Sequence, residues 1–191
     1  FSSSAAVYGV PGDAQIRETT RLSPINPYGR SKLMTEWMLE DAANSLVTSP
    51  KKDAFRYVAL RYFNVAGASL DGTLGEATPE ATHLIHIACQ AACGKRKKVA
   101  IYGTDYPTPD GTCIRDYIDL NDLTEAHIKA LTLDSDEIIN LGTAHGLSVS
   151  EIIRMVAKET GKKFSVHIGP RRSGDVATIV ADFKKAHQLL C

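Results

Sequence analysis

The chain has 191 residues, enough for one domain with a sizeable core. Apolar residues make up 43% and charged residues 23%, an ordinary globular balance, and 22 basic side chains offset 22 acidic ones, which argues against a nucleic-acid partner held by charge. No apolar run reaches the length of a membrane span and no signal peptide opens the chain, while Cys89, Cys93, Cys113 and Cys191 lack disulfide-framework spacing, so a cytoplasmic protein without a membrane partner is expected.

Taken in order, Phe1 to Ser4 reads as the end of a buried strand, with three serines that satisfy backbone groups or present a hydroxyl. Residues 10–24, with Pro11, Gly12, Asp13 and Ser23-Pro24, read as loop. A helix is expected from Pro27, whose missing N–H has no partner at a helix start. Leu33, Met34, Trp37, Met38 and Leu46 have core-stripe spacing on it, and Trp37 is expected in the core. Tyr28 and Lys32 are four residues apart, so the helix sets a phenol and an ammonium side by side. A free phenol, with a pKa of about 10, is a poor base at neutral pH. A neighbouring positive charge favours its ionised form, which makes such a pair a proton shuttle for a hydroxyl or carbonyl.

The polar stretch 44–53, with Pro50, ends the helix, and Phe55 to Phe63 reads as a buried strand. Asp71 to Glu76 is loop, followed by a helix from about Pro79 to Cys93. His83, His86, Cys89 and Cys93 share a face of that helix, but they spread over roughly 15 Å at 1.5 Å rise per residue and do not converge on one ion, so no metal is expected. Lys95-Arg96-Lys97-Lys98 reads as a solvated turn at the helix C-terminus, where cations suit the dipole. Val99 to Gly103 is a strand. In the run Thr104 to Ile118, Arg115 is a planar cation suited to a diphosphate, or else a salt-bridge partner of Asp116 or Asp119. A helix follows over Leu120 to Leu133, with Leu123, Ala126, Ala130 and Leu131 inward, then a strand over Glu137 to Gly142. Ser148-Val149-Ser150-Glu151 has capping-box form and opens a helix that runs to Gly161. Lys163 to Ile168 is a strand, and Asp182 to Cys191 reads as a helix cut short. No glycine-rich dinucleotide loop is visible, so the chain is expected to be a fragment that lacks the first βαβ units.

Five stretches stand in a telling order: Phe1-Ser2-Ser3-Ser4-Ala5-Ala6-Val7-Tyr8-Gly9, Tyr28-x-x-x-Lys32, Leu60 to Gly67, Thr104 to Ile118, and Pro170-Arg171-Arg172-Ser173-Gly174-Asp175. Together they resemble the extended short-chain dehydrogenase/reductase family, and the last two resemble its UDP-sugar 4-epimerase branch. Asp119 departs from the histidine common at that position, which is not a catalytic one. The resemblance implies an α/β fold. Residues 1–66 would be the C-terminal part of an NAD-binding, Rossmann-type doubly wound sheet, and 67–191 mainly a smaller mixed α/β substrate domain, with a segment near 115–142 returning to the sheet. It implies an NAD-dependent isomerase that interconverts UDP-glucose and UDP-galactose through a 4-keto sugar, in a homodimer.

Carried over residue by residue, Ser4, Tyr28 and Lys32 are the catalytic set, with Tyr28, Lys32 and Phe63 at the cofactor. Ser4, Tyr28, Asn64, His83, Leu84, Ala100, Ile101, Tyr102, Arg115, Arg172 and Asp175 meet the UDP-sugar. The resemblance also implies that Ile179 would line the sugar pocket, where its bulk leans towards a sugar without an N-acetyl group. The near alternatives are another nucleotide-sugar epimerase, a dehydratase or a decarboxylase of the same family; a dehydratase would carry an acidic pair where Ser3-Ser4-Ala5 stands. A non-catalytic UDP-sugar-binding fragment is the more distant alternative.

Overall fold

The computed structural model describes residues 1–12, 15–46, 55–78 and 81–191. Pro50 and the expected helix start at Pro79 lie outside the described residues.

Strands β1 (Ser2–Ser4), β3 (Val58–Tyr62) and β7 (Glu137–Leu141) form a parallel sheet in the order β1-β3-β7. A second sheet runs β2 (Gln15–Ile16), β10 (Thr178–Ala181), β6 (Ile114–Asp119), β4 (Asn64–Ala66), all parallel, with β8 (Gly146–Ser148) antiparallel to β6. A third, parallel pair joins β5 (Lys98–Tyr102) to β9 (Ser165–Gly169). Five α-helices appear among the described residues: α1 (Pro27–Leu46), α2 (Leu84–Ala92), α3 (Leu120–Ala130), α4 (Val149–Thr160) and α5 (Lys184–Leu190). This is an α/β fold, as parallel strands joined by helices require. Strands β2, β4, β6, β8 and β10 are not expected from the sequence: four of them have only two to four residues, too short to show a period, and β6, Ile-Arg-Asp-Tyr-Ile-Asp, breaks the apolar/polar alternation.

Helix α1 begins at Pro27, as expected, and Asn26 caps it by accepting from the Gly29 N–H at 2.8 Å. Its buried row is Gly29, Leu33 and Glu36. Gly29 packs on the 3-10 turn Ala5–Tyr8: a Cβ there would lie 2.5 Å from the Ala6 carbonyl oxygen. That close approach decides which side of the helix faces the sheet. Met34, Trp37 and Met38 consequently point away, and Trp37 is 53% exposed, contrary to the expected core stripe. Leu131 is also exposed, because α3 stops at Ala130 and Leu131 leaves the inward row.

Helix α4 follows its sequence signals closely. Ser148 and Glu151 form the reciprocal capping box, and Gly161 closes the helix in the left-handed conformation at φ +63°. Ile153 of α4 packs with Ala88 and Ala91 of α2 and with Val99 and Ile101 of β5 in one apolar cluster.

Candidate active site

The parallel strands β1 and β3 end at the same level, with Ser4 paired to Tyr62. Crevices beyond the carboxyl ends of such strands are where open α/β sheets bind ligands. The chain leaves the first sheet at Tyr62 and joins the second at Asn64, so Phe63 sits at the crossing. A cavity of 760 Å³ opens there, lined by Ser4, Tyr28, Phe63, Asn64, His83 and Leu84 among others. The Ser4 Oγ accepts from the Ala6 N–H at 3.2 Å and caps the 3-10 turn. Tyr28 is half exposed at the start of α1. The Lys32 ammonium lies 5.6 Å from the Tyr28 ring centre and 5.3 Å from that of Phe1, and donates to the Ser2 carbonyl at 2.9 Å. The spacing of Tyr28 and Lys32 therefore does bring phenol and ammonium together.

A second cavity, of 210 Å³, shares Asn64, His83 and Leu84 with the first. Ala100, Tyr102, Arg115, Arg172 and Asp175 also line it. Asp175 is its electrostatic centre: Arg172 Nε donates to it at 2.9 Å and Arg115 NH2 stands 3.7 Å away. Arg172 also stacks on Tyr102, 4.9 Å from the ring centre. Arg115 is held by the carbonyls of Ile114 and Val176, at 2.8 and 2.7 Å. It pairs with neither Asp116 nor Asp119: Asp116 accepts from Thr143, Ala144 and Ala181, and Asp119 caps α3. A third cavity, of 210 Å³, links the two sets through Ser4, Phe63, Asn64, Arg115, Asp175 and Ile179.

Ile101 is the predicted site residue whose side chain stands apart. Strand β5 alternates, burying Val99 and Ile101 while Ala100 and Tyr102 stay accessible, and Ile101 belongs to the apolar cluster with Ala88 and Ile153. His83 lies at the α2 N-cap rather than within the helix, with its Nδ1 2.9 Å from Glu76. Tyr117 lines both the first and second cavities without having been singled out; burial pushes its phenol up, partly offset by the Arg115 charge.

A buried polar network beneath Ser4 was also missed. Arg61, 1% exposed, donates to both Glu36 carboxylate oxygens, at 3.0 and 2.6 Å, and to the Tyr8 hydroxyl at 2.9 Å. Ser3 donates to Glu36, and Tyr8 donates to Asn140 at 2.7 Å. The sequence signal was an arginine inside the otherwise apolar strand Val58-Ala59-Leu60-Arg61-Tyr62: a charge there needs a buried partner.

The chain is 48% identical, over its full length, to a UDP-glucose 4-epimerase of Azospirillum brasilense, of which it covers 54%. Among solved structures, the UDP-glucose 4-epimerase of Stenotrophomonas maltophila with bound NAD and formylated UDP-arabinopyranose superposes with a TM-score of 0.92 at 38% identity, covering 100% of this chain and 56% of that one. The Bifidobacterium longum UDP-glucose 4-epimerase in complex with NAD+ and UDP gives a TM-score of 0.88 at 42% identity, with coverage of 100% and 56%. The chain thus spans about half the length of the curated relatives it matches. The family model for NAD dependent epimerases and dehydratases matches residues 1–142. With those residues carrying the strand-end serines, the Tyr28/Lys32 helix and Arg115, the chain belongs to the NAD dependent epimerase/dehydratase family.

Proposed function

We propose that the protein carrying this chain is an NAD-dependent isomerase that interconverts UDP-glucose and UDP-galactose at C4. The observation that carries this reading is the adjacency of two unlike cavities. One presents Ser4, Tyr28 and Phe63; the other presents Arg115, Arg172 and Asp175; and Asn64 lines both. The names of the relatives, UDP-glucose 4-epimerases at 41–48% identity, support the same activity.

Ser4, Tyr28, Lys32 and Phe63 fit the nicotinamide end of NAD. An aromatic face, a half-exposed phenol and a nearby ammonium meet at the strand ends, where a dinucleotide lies in open α/β sheets. When bound, NAD would supply reversible hydride transfer at C4 of the sugar, reduced to NADH when the hydride leaves C4 and reoxidised when it returns. Tyr28 takes the 4-hydroxyl proton as a 4-keto sugar forms, and later returns that proton to the C4 oxygen. Ser4 donates a hydrogen bond to the same oxygen. Lys32 places positive charge beside the phenol and holds the ribose of the cofactor. Asn64, His83, Leu84, Ala100, Tyr102, Arg115, Arg172 and Asp175 anchor the UDP part, with the Ile101 strand behind them. The keto sugar turns while that anchor holds.

In this reading residues 1–66 belong to the cofactor domain and 67–191 mainly to the substrate domain. The pairing of β7 with β3 supports a return of the segment near 115–142 to the cofactor sheet. The exposed Met34, Trp37 and Met38 give α1 an apolar face for a homodimer. No described helix is long and apolar enough to cross a membrane, and the four cysteines are free, which supports a cytoplasmic protein.

The test is product analysis. The complete protein, given UDP-galactose, should yield a mixture of UDP-galactose and UDP-glucose without net release of NADH. A 4-keto-6-deoxy product would assign a dehydratase instead. UDP binding without turnover would assign a binding role.

A further inference from the structure

The Lys95-Arg96-Lys97-Lys98 run is expected to be a solvated turn, and all four residues are exposed. One of them differs from the rest: Arg96 lines the second cavity together with Arg115, Arg172 and Asp175. Its backbone is fixed by a closed turn after α2, where the N–H groups of Lys95 and Arg96 both donate to the Gln90 carbonyl, at 2.8 and 3.2 Å. That turn leads directly into β5, whose Ala100 and Tyr102 line the same cavity.

The charges in this cavity do not balance. Arg115 and Arg172 share a single counter-ion, Asp175, at 3.7 and 2.9 Å. Arg96 has no carboxylate partner among the described residues. Three guanidinium groups and one carboxylate leave two positive charges. The diphosphate diester of a nucleotide sugar carries two negative charges at neutral pH. With Arg115 and Arg172 alone, half of that charge would lack a counterpart, because Asp175 neutralises one of the pair.

We propose that Arg96 is a third cation of this site, which binds phosphate oxygens of the nucleoside diphosphate alongside Arg115 and Arg172. The inference rests on the UDP-sugar reading above. A guanidinium suits the task because its planar fork meets two phosphate oxygens at once. Arg96 is also the unpaired member of the three, so its charge is available without breaking an existing contact. Long-range attraction of the anion through the open side of the cavity follows from the same charge, and is screened by salt.

The experiment measures the affinity of the complete protein for UDP-glucose and for uridine by calorimetry, at low and at physiological salt, in wild type and Arg96→Gln. The substitution is at an exposed position, so the fold is expected to persist. The expected result is about fivefold weaker binding of UDP-glucose, the range of a partly screened ion pair. Uridine affinity should stay unchanged, the salt dependence for UDP-glucose should flatten, and Arg96→Lys should recover part of the loss. Unchanged UDP-glucose affinity in Arg96→Gln would overturn the inference while leaving the UDP-sugar reading intact. An equal loss for uridine would also overturn it, since the contact would then be to the nucleoside. Wild-type protein that binds neither ligand would overturn the UDP-sugar reading, and the role of Arg96 with it.

Discussion

Arg61 and Glu36 form a fully buried bidentate ion pair, Nε to Oε1 at 3.0 Å and NH2 to Oε2 at 2.6 Å, that ties the middle of α1 to the C-terminal end of β3. Glu36 also accepts from Ser3, the neighbour of Ser4. Glu36 lies one helical turn beyond Lys32, which itself donates to the Ser2 carbonyl at 2.9 Å. Two successive turns of α1 are thus pinned to the strand that ends in Ser4, and this fixes where Tyr28 stands relative to that serine.

Removing one member of the pair leaves a buried charge without its partner. Glu36→Met or Arg61→Met should each lower stability by about 3–5 kcal/mol, whereas the variant with both substitutions, apolar and of similar volume, should cost much less. Urea denaturation of the two single variants and the double variant checks this. Additive losses would show that the two side chains act independently.

Tyr8 supplies a pH dependence. Burial pushes its phenol up to about 12, against 10 for an ordinary tyrosine. The folded state therefore holds this proton where the unfolded chain releases it, so the contribution is complete below pH 10 and is lost as pH rises towards 12. Tyr106, also pushed up to about 12 by burial, acts in the same window. Tyr8→Phe should be less stable at neutral pH by about 1–3 kcal/mol, because Asn140 and Arg61 lose a partner. It should also lose less stability than wild type between pH 10 and pH 12. Parallel stability curves would contradict the assignment.

Gly29 is the point where α1 touches the 3-10 turn after Ser4. Its replacement by alanine would place a Cβ 2.5 Å from the Ala6 carbonyl oxygen and push the helix outward. Gly29→Ala should lower stability by about 1–3 kcal/mol despite the better helix propensity of alanine. It should also reduce kcat of the complete protein more than it raises KM for the UDP-sugar, since the move displaces Tyr28 and leaves Arg172 in place. Higher thermal stability with unchanged kcat would contradict the close packing.

Ser148 caps α4 and donates to Asp110 at 2.5 Å. Ser148→Ala removes both bonds and should cost about 1–2 kcal/mol, read as a lower midpoint in thermal unfolding. Binding of UDP should be unaffected, because Ser148 lines none of the cavities described above.

Features set by local rules were legible from the residues alone. Pro27 opening α1, the four-residue step from Tyr28 to Lys32, and the Ser148/Glu151 box closed by Gly161 all follow from backbone and side-chain chemistry within a few positions. What depended on distant contacts was not legible. The apolar residues Met34, Trp37 and Met38 have core spacing, yet the helix turns on Gly29, Leu33 and Glu36, because a glycine lets the backbone of Ala6 approach. Glu36 and Arg61 are 25 positions apart, and no sequence period marks them as a pair. Within the candidate site, Ser4, Tyr28, Asn64, Arg115, Arg172 and Asp175, which the family resemblance implies rather than any local rule, line adjoining cavities. The burial of Ile101 and the presence of Tyr117 and Arg96 needed the folded sheet.

In the proposed function, Tyr28 moves the proton while separate groups hold the nucleotide. The most direct measurement is made on the complete protein as wild type and as Tyr28→Phe, supplied with UDP-galactose. The sugar products are resolved by chromatography, and UDP affinity is measured on the same samples. The expected result is turnover lowered by about 10²–10⁴-fold with UDP affinity nearly unchanged. Turnover retained in Tyr28→Phe would contradict it.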